Sequence, residues 1–345
     1  MSLLGIGCYT AESDGRGTGI TLADFDRASG QLTVLDSLAL ASPSWLVWHP
    51  SRPVLYAASE IDDGQVSAVL VEKGRLRLLA SVATGGRQPC HLAISPDGRR
   101  LYAANYGSGS LAAFELAADG SIIARTDLAA HSGHGPDEDR QAGPHVHMVV
   151  LDELAEPAGE LISAVDLGID QVVSYRLDNG LLSAIAVTSL PAGCGPRQLV
   201  RSAMPGRAYL VAELSGQLLT LDELGPGSFE VVATTPASEQ PIRNLPAQFS
   251  LSADGRLGYL SNRYPDTIAV FGLDGPSPVR LAEYPVGPGW PRHFALAGDW
   301  LISANQHGDL LTVFALEDGG ARLRSAGQYP IGTPTCVAVR PDANQ

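Results

Sequence analysis

The sequence predicts an all-β fold, a seven-bladed β-propeller, and three observations carry that expectation. One unit recurs along the chain, opening at Pro43, Pro89, Pro144, Pro196, Pro246, Pro291 and Pro334, with spacings of 43 to 55 residues. The apolar runs inside each unit are short, rich in Val, Ile, Leu and Tyr, and punctuated by Gly, Asp and Pro, which is strand rather than helix patterning. The last copy is cut after its first strand, and the N-terminus supplies the strands it lacks. Four strands with their turns need about 40–50 residues, the period of a propeller blade.

Each unit runs Pro, first strand, a Pro-Asp-Gly-type turn, second strand with a small-small-polar tail, then a turn and a third strand. The copies read Pro43-Ser-Trp-Leu-Val-Trp with Val54-Leu-Tyr-Ala-Ala-Ser-Glu60, and Pro89-Cys-His-Leu-Ala-Ile with Leu101-Tyr-Ala-Ala-Asn-Tyr106. Pro144-His-Val-His-Met-Val-Val pairs with Leu161-Ile-Ser-Ala-Val-Asp-Leu167, and Pro196-Arg-Gln-Leu-Val with Ala208-Tyr-Leu-Val-Ala-Glu213. Pro246-Ala-Gln-Phe-Ser-Leu pairs with Gly258-Tyr-Leu-Ser-Asn-Arg263, and Pro291-Arg-His-Phe-Ala-Leu with Trp300-Leu-Ile-Ser-Ala-Asn-Gln306. Pro334-Thr-Cys-Val-Ala-Val opens the seventh copy, which Leu4–Thr10 and Gly19–Asp26 complete. The expectation is one domain over residues 1–345, its ring closed by pairing the N-terminal strands with the C-terminal strand, which protects sheet edges.

Composition narrows the function classes. The net charge of −14 makes nucleic acid and anionic membrane surfaces poor partners. An anionic small substrate would need a local cluster of arginines. Cys8, Cys90, Cys194 and Cys336 lie far apart and form no CxxC pair, so free thiols in a reducing compartment are expected. No signal-type segment and no apolar run of spanning length is present, which makes the cytoplasm the expected location.

The repeat is interrupted once. His131-Ser-Gly-His-Gly-Pro-Asp-Glu-Asp-Arg-Gln-Ala-Gly-Pro-His-Val-His147 holds four of the eight histidines, with glycines and prolines that exclude helix or regular strand until its end. The spacing fits no metal-ligand motif, and no cofactor is expected. Asp137, Glu138 and Asp139 read as a solvated tip.

Propeller geometry decides which residues meet. The first strand of each blade lines the channel and the second runs antiparallel to it, so the start of one and the end of the other share a rim. The first-strand ring holds Ser44, Trp45, Cys90, His91, His145, His147, Arg197, Gln198, Gln248, Arg292 and His293. The second-strand ring holds Glu60, Asn105, Tyr106, Asp166, Glu213, Asn262, Arg263, Asn305 and Gln306. Asp166 and the three asparagines read as turn formers. Glu213 reads either as a catalytic carboxylate or as a blade-to-blade salt bridge. Arg197, Arg263 and Arg292 either bond strand-end carbonyls or bind an anion, and guanidinium suits carboxylate or phosphate.

These residues resemble the lactonase family with a seven-bladed propeller. Its members include the bacterial propeller-type 6-phosphogluconolactonases and the fungal 3-carboxy-cis,cis-muconate lactonizing enzymes. The matching elements are His-x-Gly-x-Gly-Pro (131–136), Arg140-Gln141, Pro-His-x-His (144–147), Asp-Leu-Gly (166–168), Gly-Pro-Arg (195–197), Ala-Glu-Leu (212–214), Ser-Asn-Arg (261–263) and Ala-Asn-Gln (304–306). The resemblance covers essentially the whole chain. It departs in an irregular insertion, 152–160, and in Met204-Pro-Gly where Pro-Asp-Gly is usual. It implies a site at the channel mouth in which His147, Glu213, Arg197 and Arg263 are catalytic. His91, His145, Arg292, Tyr106, Gln306 and Glu60 are the candidate substrate-binding residues around them.

The expected reaction is hydrolysis of a sugar-acid lactone by general acid/base catalysis, with Glu213 or His147 as base and the arginines holding the oxyanion. No Gly-x-Ser-x-Gly element suggests a covalent serine route. A carboxymuconate-type cycloisomerase would use the same residues on a dicarboxylate. A non-catalytic propeller would instead bind partners on its rim. The expected partner is a small anionic lactone or carboxylate, and the expected assembly a monomer or weak homo-oligomer.

Overall fold

A computed structural model describes residues 1–153 and 160–341. The irregular 152–160 insertion falls largely outside the described residues. The chain forms seven four-stranded antiparallel sheets. Blade 1 is built from Pro43–Trp48, Val54–Ser59, Gln65–Glu72 and Arg75–Ala83. Blades 2 to 6 follow in chain order and open at Pro89, Val146, Pro196, Leu245 and Pro291. The seventh sheet joins Pro334–Val339 to Ser2–Cys8, Gly19–Asp26 and Gln31–Ala39. Its two chain ends pair antiparallel, with Leu4 opposite Val339 and Ile6 opposite Val337.

The second strands are buried along their whole length, because neighbouring sheets pack on both of their faces. This explains runs such as Val54-Leu-Tyr-Ala-Ala-Ser, which do not alternate in polarity. Large and small side chains interdigitate between blades. Tyr56, Ala58 and Val66 of blade 1 pack with Leu101, Ala112 and Phe114 of blade 2. The recurrent second-strand tyrosine needs a partner for its hydroxyl when buried. Tyr56 donates to the Gly120 carbonyl at 2.6 Å and Tyr259 to that of Gly320 at 3.0 Å, each in the next blade. Outer strands alternate, as in Arg75–Ala83, because one face meets solvent.

Asn105, Asn262 and Asn305 are fully buried. Each amide bridges its own turn to a hydroxyl on the third strand, Ser110, Thr267 or Thr312, and two of them also reach the preceding blade. Asn262 Nδ2 donates to the Ala237 carbonyl at 3.0 Å and Asn305 Nδ2 to that of Val286 at 3.2 Å, each at the end of the preceding blade. Asp166 also forms a turn: its Oδ1 accepts the His145 N–H at 2.7 Å and the Gly168 N–H at 2.9 Å.

The feature that positions the site is a bulge at the start of the innermost strands. Pro89 faces Asn105 but His91 faces Ala104, so Cys90 is an extra residue. In the same way His147, Arg197 and Arg292 are extra residues in blades 3, 4 and 6. A bulge bends the strand and re-aims its side chain, and it locally breaks the up-down alternation. Adjacent residues such as Arg197 and Gln198, or Arg292 and His293, therefore line the channel together. Among the described residues no helix is long and apolar enough to cross a membrane.

Candidate active site

Glu213 sits one residue past the strand Arg207–Ala212, and its side chain is 1% exposed. Burying a lone carboxylate is costly, and three guanidinium groups offset it. Arg197 Nη1 lies 2.8 Å and Arg263 Nη2 2.7 Å from Oε2, while Arg140 Nη2 donates to Oε1 at 2.9 Å. Arg197 and Arg263 are gripped at both ends. Arg197 Nε donates to the Ala247 carbonyl at 3.1 Å and Arg263 Nε to that of Leu245 at 2.8 Å. The Arg263 Nη2 contact at 2.7 Å holds that buried guanidinium against the carboxylate.

His147 completes the clamp through its Nε2, which contacts Arg197 Nη1. Guanidinium only donates, so Nε2 is the acceptor and the proton of the neutral ring sits on Nδ1, 3.8 Å from Cys90 Sγ. Burial pushes the His147 pKa well below 6.5, Arg197 adds to this, and Glu213 opposes it only in part. Burial alone would raise the Glu213 carboxyl, yet Arg263, Arg197, His147 and Arg140 outweigh it and hold it well below the usual range. The clamp therefore holds an ionised glutamate and a neutral histidine.

Arg140 arrives from the His-rich loop, which is pinned rather than loose. Asp137 Oδ1 accepts the N–H groups of Asp139 and Arg140 at 3.1 and 3.0 Å, setting the turn that carries Arg140. Buried Gln141 donates to the Leu167 carbonyl and Asp170 Oδ1, and His131 lies between Asp166 and the Tyr175 hydroxyl. Arg140 Nη2 also donates to the Tyr106 hydroxyl at 3.3 Å. Tyr106 stacks on His145 with ring centres 4.4 Å apart, and His145 Nδ1 donates to the Tyr106 carbonyl.

Across the mouth Arg292 pairs with Glu60 at 2.9 Å and lies over the Tyr9 ring. Four guanidinium groups thus meet two carboxylates, a local cation excess in a chain of net charge −14. Among the described residues no group of three or more His, Cys, Asp or Glu side chains is arranged to hold a metal ion.

Residues 4–339 match the model of a family described as lactonase, 7-bladed β-propeller. The chain belongs to this propeller lactonase family. It is 30% identical over 310 residues to the 6-phosphogluconolactonase of Bacillus subtilis, covering 86% of this chain and 87% of that one. A solved structure of the periplasmic gluconolactonase PpgL of Pseudomonas aeruginosa superposes with a TM-score of 0.88 at 30% identity, covering 98% of each chain. A Lactobacillus plantarum protein superposes with a TM-score of 0.90 at 28% identity, over 99% of this chain and 100% of that one.

In this lactonase the structure brings His147, Glu213, Arg197 and Arg263 into one contact network, with Tyr106 and His145 beside it. Arg292 and Glu60 form a separate pair on the same rim. His91 lies inside the channel against Trp45, with ring centres 4.1 Å apart. Gln306 donates its backbone N–H to the Trp290 carbonyl, and its Oε1 is buried without a partner. Arg197 and Arg263 bond strand-end carbonyls, as one reading expected, and also form the salt bridges to Glu213, while Arg292 pairs with Glu60.

Sequence reasoning missed two contributors. Arg140 is the third guanidinium on Glu213, and its signal was its place in the loop motif. Trp290 carries the Arg263 guanidinium 5.2 Å from its ring centre. It packs edge-on against Tyr264, and both have positive φ, 67° and 73°. Bulky residues at such φ cost about 1–3 kcal/mol each and persist where surrounding structure demands them. The Trp290 N–H is held by Asp266 Oδ1 at 2.6 Å. Nothing in the repeat marks this position.

Proposed function

We propose that the protein hydrolyses the lactone of a sugar acid at the Glu213 clamp. The observation that carries this reading is the pair of guanidinium groups, Arg197 and Arg263, aimed by one buried glutamate beside a neutral, proton-accepting His147. Lactone hydrolysis needs those functions: donors for the developing oxyanion and a base for water. The named relatives act on gluconolactone-type compounds, which supports the same class here.

In this reading the lactone carbonyl takes hydrogen bonds from Arg263 and Arg197. Drawing the Arg197 N–H toward the oxyanion releases His147 Nε2. His147 removes a proton as water adds to the carbonyl carbon. The tetrahedral oxyanion collapses, the ring C–O bond breaks, and the leaving alkoxide takes the proton back from the imidazolium. Glu213 is too strongly stabilised as an anion to be the base. Its role is to fix both arginines before substrate arrives, so that little reorganisation is needed. Arg140, Arg292, Tyr106, His145, Gln306 and Glu60 orient the substrate's hydroxyls and any anionic group. His91 stands too deep for that role.

A pH-stat assay tests the reading with 6-phosphogluconolactone, unphosphorylated aldonolactones and a carboxymuconolactone, using wild type, Glu213→Gln and His147→Ala. Turnover of one aldonolactone, lost in both folded variants, supports it. Turnover of the carboxymuconolactone alone transfers the site to a cycloisomerase. Activity that survives both substitutions removes the clamp from catalysis.

We infer further that residues 1–345 are one folding unit, latched by the pairing of Ser2–Cys8 with Pro334–Val339. Removing residues 334–345 should then abolish cooperative unfolding rather than trim its midpoint. The four buried, unpaired cysteines suit a reducing cytoplasm.

A further inference from the structure

Beneath the clamp, all seven innermost strands enclose a small channel cavity, from Trp45 in blade 1 to Thr335 in blade 7. Its volume is about 20 Å³. A single water needs about 10–15 Å³, so one atom-sized occupant fits. The lining contains Arg197 and Arg292 but no carboxylate.

The hydrogen-bonding sense of the lining leans toward donors, with Gln248 and Thr335 supplying side-chain oxygens as well. His91 Nδ1 accepts the Val149 N–H at 3.5 Å, and His293 Nδ1 accepts the Val337 N–H at 3.3 Å. A neutral imidazole that accepts at Nδ1 carries its proton on Nε2. Both rings are neutral at ordinary pH, because burial, aided by neighbouring cations, pushes each down to about 3. Each ring therefore offers one Nε2–H. Trp45, whose indole can only donate, lies tilted against His91 with ring centres 4.1 Å apart and meets His293 edge-on at 5.0 Å. Among the described residues nothing accepts from Trp45 Nε1, His91 Nε2 or His293 Nε2. A water in such a setting would receive several donors, and its own hydrogens have the side-chain oxygens of Gln248 and Thr335 as acceptors. A monatomic anion accepts from every side.

We propose that this cavity is a binding site for a single halide-sized anion, chloride in physiological terms, held by Trp45, His91 and His293 and by the field of Arg197 and Arg292. The site adjoins the substrate clamp, where Arg263 and Glu213 meet. The two share Arg197 and His147, so the anion also bears on how firmly these are held for catalysis.

Crystals soaked in bromide give the direct test. The expected result is one anomalous peak in the channel, in contact with the three ring nitrogens. A channel density refining as water, with no anomalous signal at a bromide concentration that populates surface sites, overturns the proposal. So does a peak confined to the arginine clamp. In solution, chloride is titrated against methanesulfonate, which is too large for the cavity, at constant ionic strength. The melting temperature should rise with chloride in the saturable manner of a ligand that binds only the folded state. Identical curves in the two salts count against the site. Trp45→Phe removes one donor with little change in shape and should weaken the chloride dependence several-fold. His293→Phe provides the second variant, and either one that folds yet keeps both the full bromide peak and the chloride response refutes the assignment.

Discussion

The two ends of the propeller are built from the same repeat and have been put to different uses. At the end where first strand turns into second, blades 2 and 5 are near copies. Ser95 Oγ and Ser252 Oγ each donate to an aspartate two residues on, at 2.6 Å in both blades. The same aspartates accept the N–H of Arg99 at 3.0 Å and of Arg256 at 3.1 Å. At the other end, the residue that follows each second-strand core is Glu60, Tyr106, Leu167, Glu213, Arg263 or Gln306, and hardly two agree. Repetition survives in these two turns, and it is lost at the rim that carries the Glu213 clamp. Size is a poor guide between the two ends. The larger cavity, about 730 Å³, lies among the turns at Ser252, Asp254 and Gly298.

The sharpest way to break this contrast is Glu213→Gln. The substitution keeps shape and removes the charge that aims Arg197 and Arg263. Losing one preorganised oxyanion donor costs about 10²–10³ in kcat, and here two are disturbed, so a loss of about 10³ or more is expected. Arg197 and Arg263 would be left buried without their counter-charge, which costs about 3–5 kcal/mol in comparable pairs. Steady-state kinetics and urea unfolding measure the two effects separately. Near wild-type kcat would make Glu213 a structural tie like Asn262.

Acid should separate the ends next. His147, His91 and His293 are all held below their unfolded pKa near 6.5. Between the folded and unfolded values the unfolded chain binds more protons, so stability falls as pH drops below about 6.5. Glu213 works in the opposite window. Its stabilisation is complete above the unfolded carboxylate pKa and fades only at lower pH. Calorimetry at pH 5 should therefore show proton uptake on unfolding, reduced in His293→Phe. Over the same range kcat/KM should stay flat, because His147 remains neutral. An acid limb centred near 6.5 would show that His147 is not held neutral by its surroundings.

The contrast also explains what the sequence could and could not reveal. The blades were legible because each one is local: a proline, a Tyr-Ala-Ala-type strand and a turn residue recur within one unit. The rim was legible in outline, since Arg197, Glu213 and Arg263 stand at strand ends where the repeat needs only small residues. The bulges were not legible, because an extra residue is a property of pairing between strands. They decide why Cys90 and His91 both reach the channel when simple alternation would separate them. Arg140 was hard to place because it joins Glu213 across 73 positions of sequence, through a loop whose path depends on Asp166 and Asp170. The asparagines were legible as turn residues, but the second bond of Asn262 and Asn305 to the previous blade was not, because it depends on how blades pack.

Arg140→Ala probes the loop's part in the clamp. The side chain is 31% exposed, and Glu213 keeps two other guanidinium partners without it. Its removal should lower kcat/KM by about tenfold, the equivalent of one hydrogen bond to a charged group at about 1.5 kcal/mol. Stability should change by less than about 0.5 kcal/mol, as for other partly exposed ion pairs. A loss as deep as that of Glu213→Gln would make Arg140 a direct partner of the reacting atoms.

The smallest expected effect lies at the turn end and is the control for the whole comparison. Asp97 accepts from the Ser95 hydroxyl and the Arg99 N–H, and it touches nothing at the clamp. Asp97→Ala frees both donors near the surface, where water replaces most of what is lost. The cost should be about 1 kcal/mol of stability, the net worth of a turn-closing hydrogen bond. Values of kcat and KM should match wild type, because blade 2 reaches the site from the opposite end of its strands. A kinetic effect without a stability effect would mean that strain at one end is transmitted along the strand to the other. The division between a turn end and a clamp end would then describe sequence only, and not mechanics.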